Sequence, residues 1–286
     1  MIVVKMWGGL GNQLFQFAFG YAMAKKYQEE LYLDISFYKK HQYKYVGYRE
    51  FELDNLMCPI DIKDDLPLSI RFIESFVVNR IIRRWKGTIS FSLGDVNYVK
   101  EKKHIFMTDV PYKKEKLNYY DGYWQSGLYF DDYKAELDEL FKPNIEIPKE
   151  VKEFLELIKE TDNSVSVHIR KGDFGGKIGY AVENEYYLRA IDYIKQNIDN
   201  PEFFVFSDDV SWVKDNIPFG QEPHFVNYKV DNGAIMDLLC MSKCKHGIMS
   251  ASTFSWWGNW NKEGVVIVPS GEHSNNRFSS DEWIKI

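Results

Sequence analysis

The chain has 286 residues, of which 45% are hydrophobic and 16% aromatic, and it carries a formal net charge of -6. A chain of this length supplies enough apolar side chains for two cores, so we expect two domains. The acidic balance argues against a nucleic-acid-binding protein, because phosphate neutralisation needs clustered lysine and arginine. An anionic ligand must therefore be bound by a few local cations.

The start of the chain predicts a strand, a helix and a second strand. Residues 2–6 are rich in β-branched side chains and predict a strand, 8–11 a glycine turn, 14–27 an apolar helix and 31–35 the second strand. This order is typical of an α/β domain with a parallel sheet. Between 38 and 129 the hydrophobic pattern has no clear period, so the sequence does not predict the topology of that segment.

A linker is predicted at 141–148, where two prolines interrupt the pattern. It separates an N-terminal domain, 1–148, from a C-terminal domain, 149–286. Helix 149–160 and strand 164–169 open the second domain. The remaining predicted elements are strands 203–206, 224–227, 247–249 and 265–268 and helices 186–197 and 235–243. Their alternation predicts a doubly wound parallel sheet, in which ligands bind beyond the carboxyl ends of the strands.

The cysteines and the apolar segments bear on the compartment. Cys58, Cys240 and Cys244 form no Cys-x-x-Cys motif and leave one thiol unpaired, so neither a disulfide framework nor a zinc site is predicted. A reducing, cytoplasmic compartment is therefore expected. No signal peptide is recognisable, and the apolar run 14–23 is shorter than the ~20 residues that span a bilayer. The basic run 80–86 is interpreted as a solvated helix face, with peripheral contact to anionic lipid at the inner membrane face as the alternative.

The segment Gly8-Gly9-Leu10-Gly11-Asn12-Gln13-Leu14 admits three interpretations. It lies between a strand and a helix and ahead of Asp34, as in a dinucleotide-binding turn, but Leu14 occupies the place of the third glycine. The second interpretation is a tight turn that needs glycine only for its backbone conformation. In the third, the amides of Asn12 and Gln13 approach a substrate with both donors and acceptors. The motif alone does not decide among them.

The segment 168–173, His-Ile-Arg-Lys-Gly-Asp, directly follows a predicted strand. Arg170 is a strong candidate for a diphosphate ligand, because its planar guanidinium binds two oxygens and stays charged. His168 has two interpretations. It takes part directly in the chemistry, or it is a core histidine that orients Arg170 through a hydrogen bond. Asp173 also has two interpretations. It is a functional carboxylate, or it caps a helix or forms an ion pair with Arg170 or Lys171.

Two further polar segments follow predicted strands. Residues 207–209, Ser-Asp-Asp, offer acceptors for a base or ribose, or they cap a helix at 210–214. Residues 250–258 begin a helix with several hydroxyl groups that suit phosphate, although capping alone needs only one of them. We interpret Trp256 and Trp257 as packing residues. Because the chain has no Asp-x-Asp triplet and no metal-spaced His and Cys cluster, leaving-group charge must be met by arginine, lysine and backbone amides.

Four motifs, in order along nearly the whole chain, resemble those of the family 11 glycosyltransferases, the bacterial and animal galactoside α-1,2-fucosyltransferases. They are Gly8-Gly9-Leu10-Gly11-Asn12-Gln13-Leu14-Phe15-Gln16, His168-Ile169-Arg170-Lys171-Gly172-Asp173, Phe204-Val205-Phe206-Ser207-Asp208-Asp209 and Ser252-Thr253-Phe254-Ser255-Trp256-Trp257-Gly258. The resemblance implies an α/β fold of GT-B type, with two Rossmann-like domains facing a cleft, GDP-fucose bound mainly by the C-terminal domain and no obligatory metal or cofactor.

The resemblance also implies roles for single residues. Arg170 binds the diphosphate, and Asn12 lies near the reacting centre by analogy with the protein O-fucosyltransferases. The family often has two arginines where this chain has Arg170-Lys171, and lysine keeps the charge but loses the fork. We predict Asp173 as the first carboxylate to test as the base. The predicted donor-binding residues are Gly9, Gly11, Gln13, His168, Lys171, Ser207, Asp208, Ser252, Thr253, Phe254 and Ser255.

The predicted function is transfer of L-fucose from GDP-β-L-fucose to the 2-hydroxyl of a terminal β-galactoside, with inversion and an α-1,2 linkage as product. The partners are thus GDP-fucose and a galactose-terminated oligosaccharide. Aromatic residues of the N-terminal half are candidates for stacking on the acceptor, and core packing explains most of them equally well: Tyr43, Tyr45, Tyr48, Tyr123 and Trp124. The alternatives are a non-catalytic carbohydrate-binding protein and a nicotinamide-dependent oxidoreductase.

Overall fold

The computed structural model describes residues 1–39, 49–75, 82, 87–101, 106–171, 182–226, 228–270 and 282–286. The chain divides into two compact units, Met1–Asn144 and Ile145–Ile286. The division falls inside the proline-containing segment, ahead of the predicted boundary after Pro148. The physical reason is that Ile145 and Ile147 pack against the hydrophobic core of the second unit.

The first unit contains a five-stranded sheet in the order β2-β1-β5-β4-β3. Its strands are β1 (Ile2–Lys5), β2 (Leu31–Asp34), β3 (Ile89–Leu93), β4 (Val96–Lys100) and β5 (Leu117–Asp121). Neighbouring strands are parallel except β3 and β4, which are antiparallel. The described helices are α1 (Leu10–Tyr27), α2 (Ser36–Lys39), α3 (Leu68–Ile73) and α4 (Lys134–Leu140), with short 3-10 turns at Leu53–Asn55, Gly127–Tyr129 and Asp131–Tyr133.

Helix α1 begins at Leu10, earlier than the predicted start at residue 14. The glycine turn is therefore confined to Gly8 and Gly9, and Gly11, Asn12 and Gln13 lie in the first helical turn. Leu10 is buried and extends the apolar pattern of the helix toward its N-terminus. Gly8 has φ +87°, a conformation that favours glycine.

The second unit contains a six-stranded sheet in the order β11-β10-β9-β6-β7-β8, with every pair of neighbours parallel. Its strands are β6 (Ser164–Ile169), β7 (Glu202–Ser207), β8 (His224–Phe225), β9 (His246–Ile248), β10 (Val266–Val268) and β11 (Ile284–Lys285). Its helices are α5 (Lys149–Glu160), α6 (Asn184–Asn197), α7 (Val210–Asn216), α8 (Gly233–Lys243) and α9 (Thr253–Trp257). The α/β class with parallel sheets is confirmed. Helix α5 and strand β6 have the predicted bounds, and β11 was not predicted.

Helices cover both faces of the second sheet. Along β6, Val165, Val167 and Ile169 point to the face covered by α6 and α7, because successive side chains of a strand alternate. The opposite face packs Phe204 and Phe206 of β7 against α5 and α8. Burial on both faces explains the continuous apolar run Phe203-Phe204-Val205-Phe206 of β7.

The cysteines and the tryptophan pair 256–257 lie in the protein core. Cys58, Cys240 and Cys244 are buried free thiols. Trp256 and Trp257 are buried against each other and Trp260, which confirms their packing role. Within the described ranges, no helix combines the length and the apolar composition that crossing a membrane requires. Only Ile82 of the basic run 80–86 is described.

Candidate active site

Arg170 immediately follows β6, at the carboxyl end of the second sheet. Its side chain is half-buried, and Nη1 lies 3.5 Å from Oγ of Ser252. That hydroxyl also accepts a hydrogen bond from the Phe254 amide (3.2 Å) and caps the start of α9. The structure thus brings the predicted phosphate ligand Arg170 together with the predicted hydroxyl cluster.

His168 lies on β6, two residues before Arg170, and its ring is buried. Its Nδ1 is 2.8 Å from Oγ of Ser250, and its ring packs against Phe254 at a centroid distance of 5.4 Å. This bond to Ser250 and the buried ring agree with the interpretation of His168 as a core histidine. Burial, aided by the nearby Arg170 charge, lowers the pKa of His168 to about 4. At neutral pH the site holds an uncharged imidazole beside the guanidinium.

Lys171 is bound within the protein. Its backbone N–H donates to Oδ1 of Asp208 (2.8 Å), and its Nζ donates to Oδ1 of Asn184 (3.0 Å). The ammonium also lies over the Trp212 ring, 3.6 Å from its centroid. Burial lowers the pKa of Lys171. These contacts direct Lys171 toward α6 and α7 and favour a role in holding the end of β6 against these two helices.

The three polar residues at the end of β7 have different partners. Oδ1 of Asp209 accepts from the Trp212 amide (2.9 Å) and caps α7, so the capping alternative holds for this residue. Oγ of Ser207 accepts from the Asp209 amide (3.1 Å). Asp208 is exposed, and its bond to the Lys171 amide ties the end of β7 to the end of β6.

The hydroxyl groups around α9 are mostly committed to the protein. Oγ of the buried Ser255 accepts from the Ser250 amide (3.1 Å), while the Ser250 hydroxyl meets His168. Ser252 caps the helix, and Thr253 is half-buried. Helix α9 contains only five residues, so its dipole is weak. The Ser252 hydroxyl is the member of this group for which the structure gives a contact with Arg170.

In the first unit, Asn12 projects from the first turn of α1 beside Gly8. Its Oδ1 accepts a hydrogen bond from Nε2 of Gln125 (2.7 Å), which fixes the orientation of the amide. A Cβ atom on Gly8 would lie only 2.6 Å from Nδ2 of Asn12, so glycine is needed there for space as well as for φ. Within the described part of the chain, Nδ2 of Asn12 has no acceptor. Asn12 therefore presents an oriented donor at the end of β1.

Gln13 is buried, and its amide binds three backbone groups. Nε2 donates to the carbonyls of Gly8 (3.2 Å) and Glu50 (2.8 Å), and Oε1 accepts from the Glu52 amide (2.9 Å). This geometry favours a role in holding segment 50–52 against α1 rather than contact with a donor. Gly9, the N-cap residue, lies next to the Arg49 side chain, and Gly11 is buried inside α1.

The aromatic candidates separate into core and partly exposed residues. Trp124 is fully buried and stacks on Phe19 at a centroid distance of 4.0 Å, so core packing is the interpretation that holds for it. Tyr123 is half-buried and stacks on Trp7, also at 4.0 Å, just beyond the carboxyl ends of β5 and β1. Tyr43, Tyr45, Tyr48 and Asp173 lie outside the described residues.

Sequence reasoning missed Gln125, the partner of Asn12. Its side chain is buried. The residue follows β5, in the segment 38–129, where the hydrophobic pattern did not predict the topology. The available signal was the sequence Gly122-Tyr123-Trp124-Gln125, a glycine followed by aromatic and amide side chains. This signal can be used only when the preceding strand has been located, and the sequence did not predict β5.

The chain is similar to known glycosyltransferases over its whole length. The family model described as glycosyl transferase family 11 matches residues 1–286. An alpha-1,2-colitosyltransferase of Escherichia coli is 33% identical, with 100% of this chain and 99% of the relative covered. The rabbit (Oryctolagus cuniculus) galactoside alpha-(1,2)-fucosyltransferase 2 is 22% identical, with 93% of this chain and 68% of the relative covered.

Among solved structures, a crystal structure of NodZ alpha-1,6-fucosyltransferase soaked with GDP-fucose has a TM-score of 0.50 to this chain. The sequence identity is 12%, and 91% of this chain and 92% of that chain are covered. At this identity the similarity concerns the fold alone. It agrees with the GT-B type that the sequence motifs implied.

Proposed function

The chain belongs to glycosyl transferase family 11, and on that premise we propose that it transfers L-fucose from GDP-β-L-fucose to the 2-hydroxyl of a terminal β-galactoside. As a glycosyltransferase it is neither a non-catalytic carbohydrate-binding protein nor a nicotinamide-dependent oxidoreductase. The names of the E. coli and rabbit relatives, both α-1,2-transferases, support the linkage. The name of the rabbit relative supports the galactoside acceptor, and the donor in the NodZ crystal supports a GDP-linked sugar.

The observation that supports the proposal most is the position of Arg170. A half-buried guanidinium at the carboxyl end of a central parallel strand lies where α/β sheets bind nucleotides. Its neighbour His168 is uncharged at neutral pH, so of these two side chains Arg170 alone carries a positive charge. A diphosphate fits that arrangement because guanidinium binds two phosphate oxygens at once.

In the proposed reaction the acceptor oxygen attacks the anomeric carbon of fucose from the face opposite GDP. The bond between that carbon and the diphosphate oxygen breaks, and the electron pair leaves with GDP. Negative charge on the diphosphate grows as the bond breaks, so Arg170 stabilises the transition state more than the bound substrate. The hydroxyl proton passes to a carboxylate, for which Asp173, three residues beyond Arg170, is our candidate. Asn12 orients the acceptor through its amide N–H groups.

A second candidate is transfer of colitose, because the E. coli relative named as a colitosyltransferase is 33% identical over the full chain. Colitose is fucose without its 3-hydroxyl group, and we propose a GDP-linked donor for this candidate as well. The chemistry at Arg170 is the same for both sugars. Only contacts to the sugar ring distinguish them.

A transfer assay with a panel of donors and acceptors tests the proposal. The protein is incubated with GDP-fucose, GDP-colitose, GDP-mannose or UDP-galactose and with lactose, N-acetyllactosamine or lacto-N-biose, and products are identified by mass spectrometry. We expect a fucosylated galactoside and an equal amount of GDP, unchanged by EDTA since the proposed mechanism uses no metal. Transfer from GDP-colitose alone would select the second candidate. Transfer from UDP-galactose alone would contradict both.

A further inference from the structure

The side chains of His168 and Ser250 meet where two neighbouring strands of the second sheet end. His168 lies near the end of β6, and Ser250 follows the adjacent strand β9 by two residues. Both residues are buried, and Nδ1 of His168 lies 2.8 Å from Oγ of Ser250. An imidazole and a hydroxyl can each donate or accept, so this hydrogen bond can run in either direction. The direction decides which ring nitrogen carries the proton, and therefore what the imidazole offers to a ligand.

The surroundings of Ser250 fix the direction of this bond. Its amide donates to Oγ of Ser255 (3.1 Å) and its carbonyl accepts from the Ser252 amide (2.8 Å), so the backbone of Ser250 is held on both sides. Within the described part of the chain, His168 is the only partner of the Ser250 hydroxyl. If Nδ1 donated to that hydroxyl, the hydroxyl hydrogen would be left in the interior without an acceptor, which is costly. The hydroxyl therefore donates, and Nδ1 accepts.

The imidazole of His168 consequently carries its proton on Nε2. Burial lowers the pKa of His168 to about 4, so the ring is neutral at pH 7 and has a single N–H group. Nε2 lies across the ring from Nδ1 and has no hydrogen-bond partner within the described residues. Packing on Phe254, at a centroid distance of 5.4 Å, holds the ring in place. His168 thus presents a neutral, oriented N–H group that none of the described protein groups accepts.

This N–H group belongs to the same cluster as the proposed phosphate ligand. His168 contacts Ser250, and Arg170, two residues further along the chain, contacts Ser252. A nucleotide carries hydrogen-bond acceptors, and in the other tautomer the imidazole would turn a lone pair toward them. We propose that Ser250 is a positioning residue that holds His168 in the Nε2–H tautomer, so that the imidazole donates a hydrogen bond to the bound nucleotide. This inference rests on the proposed GDP-linked donor.

NMR spectroscopy of the full chain with 15N-labelled histidine measures the tautomer directly, because protonated and unprotonated ring nitrogens differ in chemical shift. At pH 7 without nucleotide, the unaltered protein should show the Nε2–H tautomer for His168, whose signals are identified by their absence in His168→Asn. In Ser250→Ala the Nδ1–H tautomer should appear beside it, whereas Ser250→Thr keeps the hydroxyl and should keep the Nε2–H form. An Nδ1–H ring in the unaltered protein, or an unchanged tautomer in Ser250→Ala, would overturn the inference.

Addition of GDP tests the contact with the nucleotide. Saturating GDP should shift the Nε2 signal of the unaltered protein, and in calorimetric titration Ser250→Ala should bind GDP about two- to tenfold more weakly, because only part of its molecules present the donor. The absence of any shift of the Nε2 signal would overturn the inference even if Ser250→Ala did not fold. Full GDP affinity in a folded Ser250→Ala would also overturn it.

The matched control is Ser242→Ala, which removes an exposed hydroxyl of α8 that donates to the Leu239 carbonyl (2.8 Å). It should change neither the tautomer of His168 nor the affinity for GDP. The tautomer is measured without nucleotide, so this part of the test does not depend on the identity of the donor. If the unaltered protein bound UDP as tightly as GDP, the proposed function would fail while the tautomer assignment stood.

Discussion

At the scale of single residues, the site around Arg170 depends on side chains that are neutral or already bonded. The His168 imidazole is uncharged, Ser250 and Ser252 are held by hydrogen bonds, and Lys171 is bound to Asn184 and the ring of Trp212. Arg170 is thus the cation that best fits a leaving diphosphate. The sequence predicted Arg170 from its residue type. It did not predict the partner of His168, because Ser250 is distant in the sequence.

Replacement of Arg170 by alanine should lower kcat by about a hundredfold or more, because the growing phosphate charge loses its stabilising partner. The kcat of Arg170→Lys should lie between that of the unaltered protein and that of Arg170→Ala, since lysine keeps the charge but cannot bind two oxygens. Steady-state kinetics with saturating GDP-fucose measure both variants, and circular dichroism checks their folding. Turnover of Arg170→Ala within a few-fold of the unaltered protein would rule out the assigned role.

The buried His168 should make the protein less stable in acid. Its folded pKa of about 4 lies below the unfolded value of about 6.5, so its contribution is complete above pH 6.5 and is lost as the pH falls toward 4. The upper limit of this loss is about 3 kcal/mol. Urea unfolding at pH 7 and pH 4.5 should show a smaller acid-induced loss for His168→Asn than for the unaltered protein. Equal losses would contradict the shifted pKa.

At the scale of elements, periodic segments were predicted and segments with buried polar pairs were not. Helix α5 buries Val151, Phe154 and Ile158 on one face, and this spacing is visible in the sequence. In contrast, β4 and β5 bury Asn97 and Asn118, which bond to each other at 2.8 Å. Buried amides interrupt the apolar pattern of a strand, and their hydrogen-bond partners are distant in the sequence. For this reason β4 and β5 were not predicted from the sequence.

The start of α1 was misassigned for the same physical reason. Asn12 and Gln13 look like turn residues in the sequence, but Gln125 and the backbone of segment 50–52 satisfy their amides. These partners are far along the chain. In this segment the polar side chains therefore indicate tertiary hydrogen bonds inside a helix.

Close packing of α1 on its sheet should make Gly20 irreplaceable. A Cβ atom at Gly20 would lie 2.7 Å from Cγ2 of Val4 and 2.8 Å from Cδ1 of Leu31. The gain in helix propensity of about 1 kcal/mol is outweighed by overpacking, so Gly20→Ala should destabilise the protein by about 1–2 kcal/mol. Urea unfolding measures the change. The matched control is Gly233→Ala, whose added methyl meets nothing within 4 Å; a Gly20→Ala protein as stable as this control would refute the packing argument.

At the scale of the whole molecule, each unit supplies one part of the proposed chemistry. The second unit contributes Arg170, which directly follows a central strand of a parallel sheet. The first unit contributes the oriented amide of Asn12 and the half-buried pair Trp7 and Tyr123, also at strand ends. The sequence predicted the class of both units. The division at Asn144 and the arrangement of β3 to β5 required the structure.

The central claim is that the chain forms an α-1,2 bond between fucose and galactose. NMR spectroscopy of the product formed from GDP-β-L-fucose and lactose tests it most directly, because the anomeric coupling and the inter-residue contacts report configuration and position together. The account predicts an α-fucosyl residue on the 2-oxygen of galactose. A β-linked product, or fucose attached at another position, would contradict it.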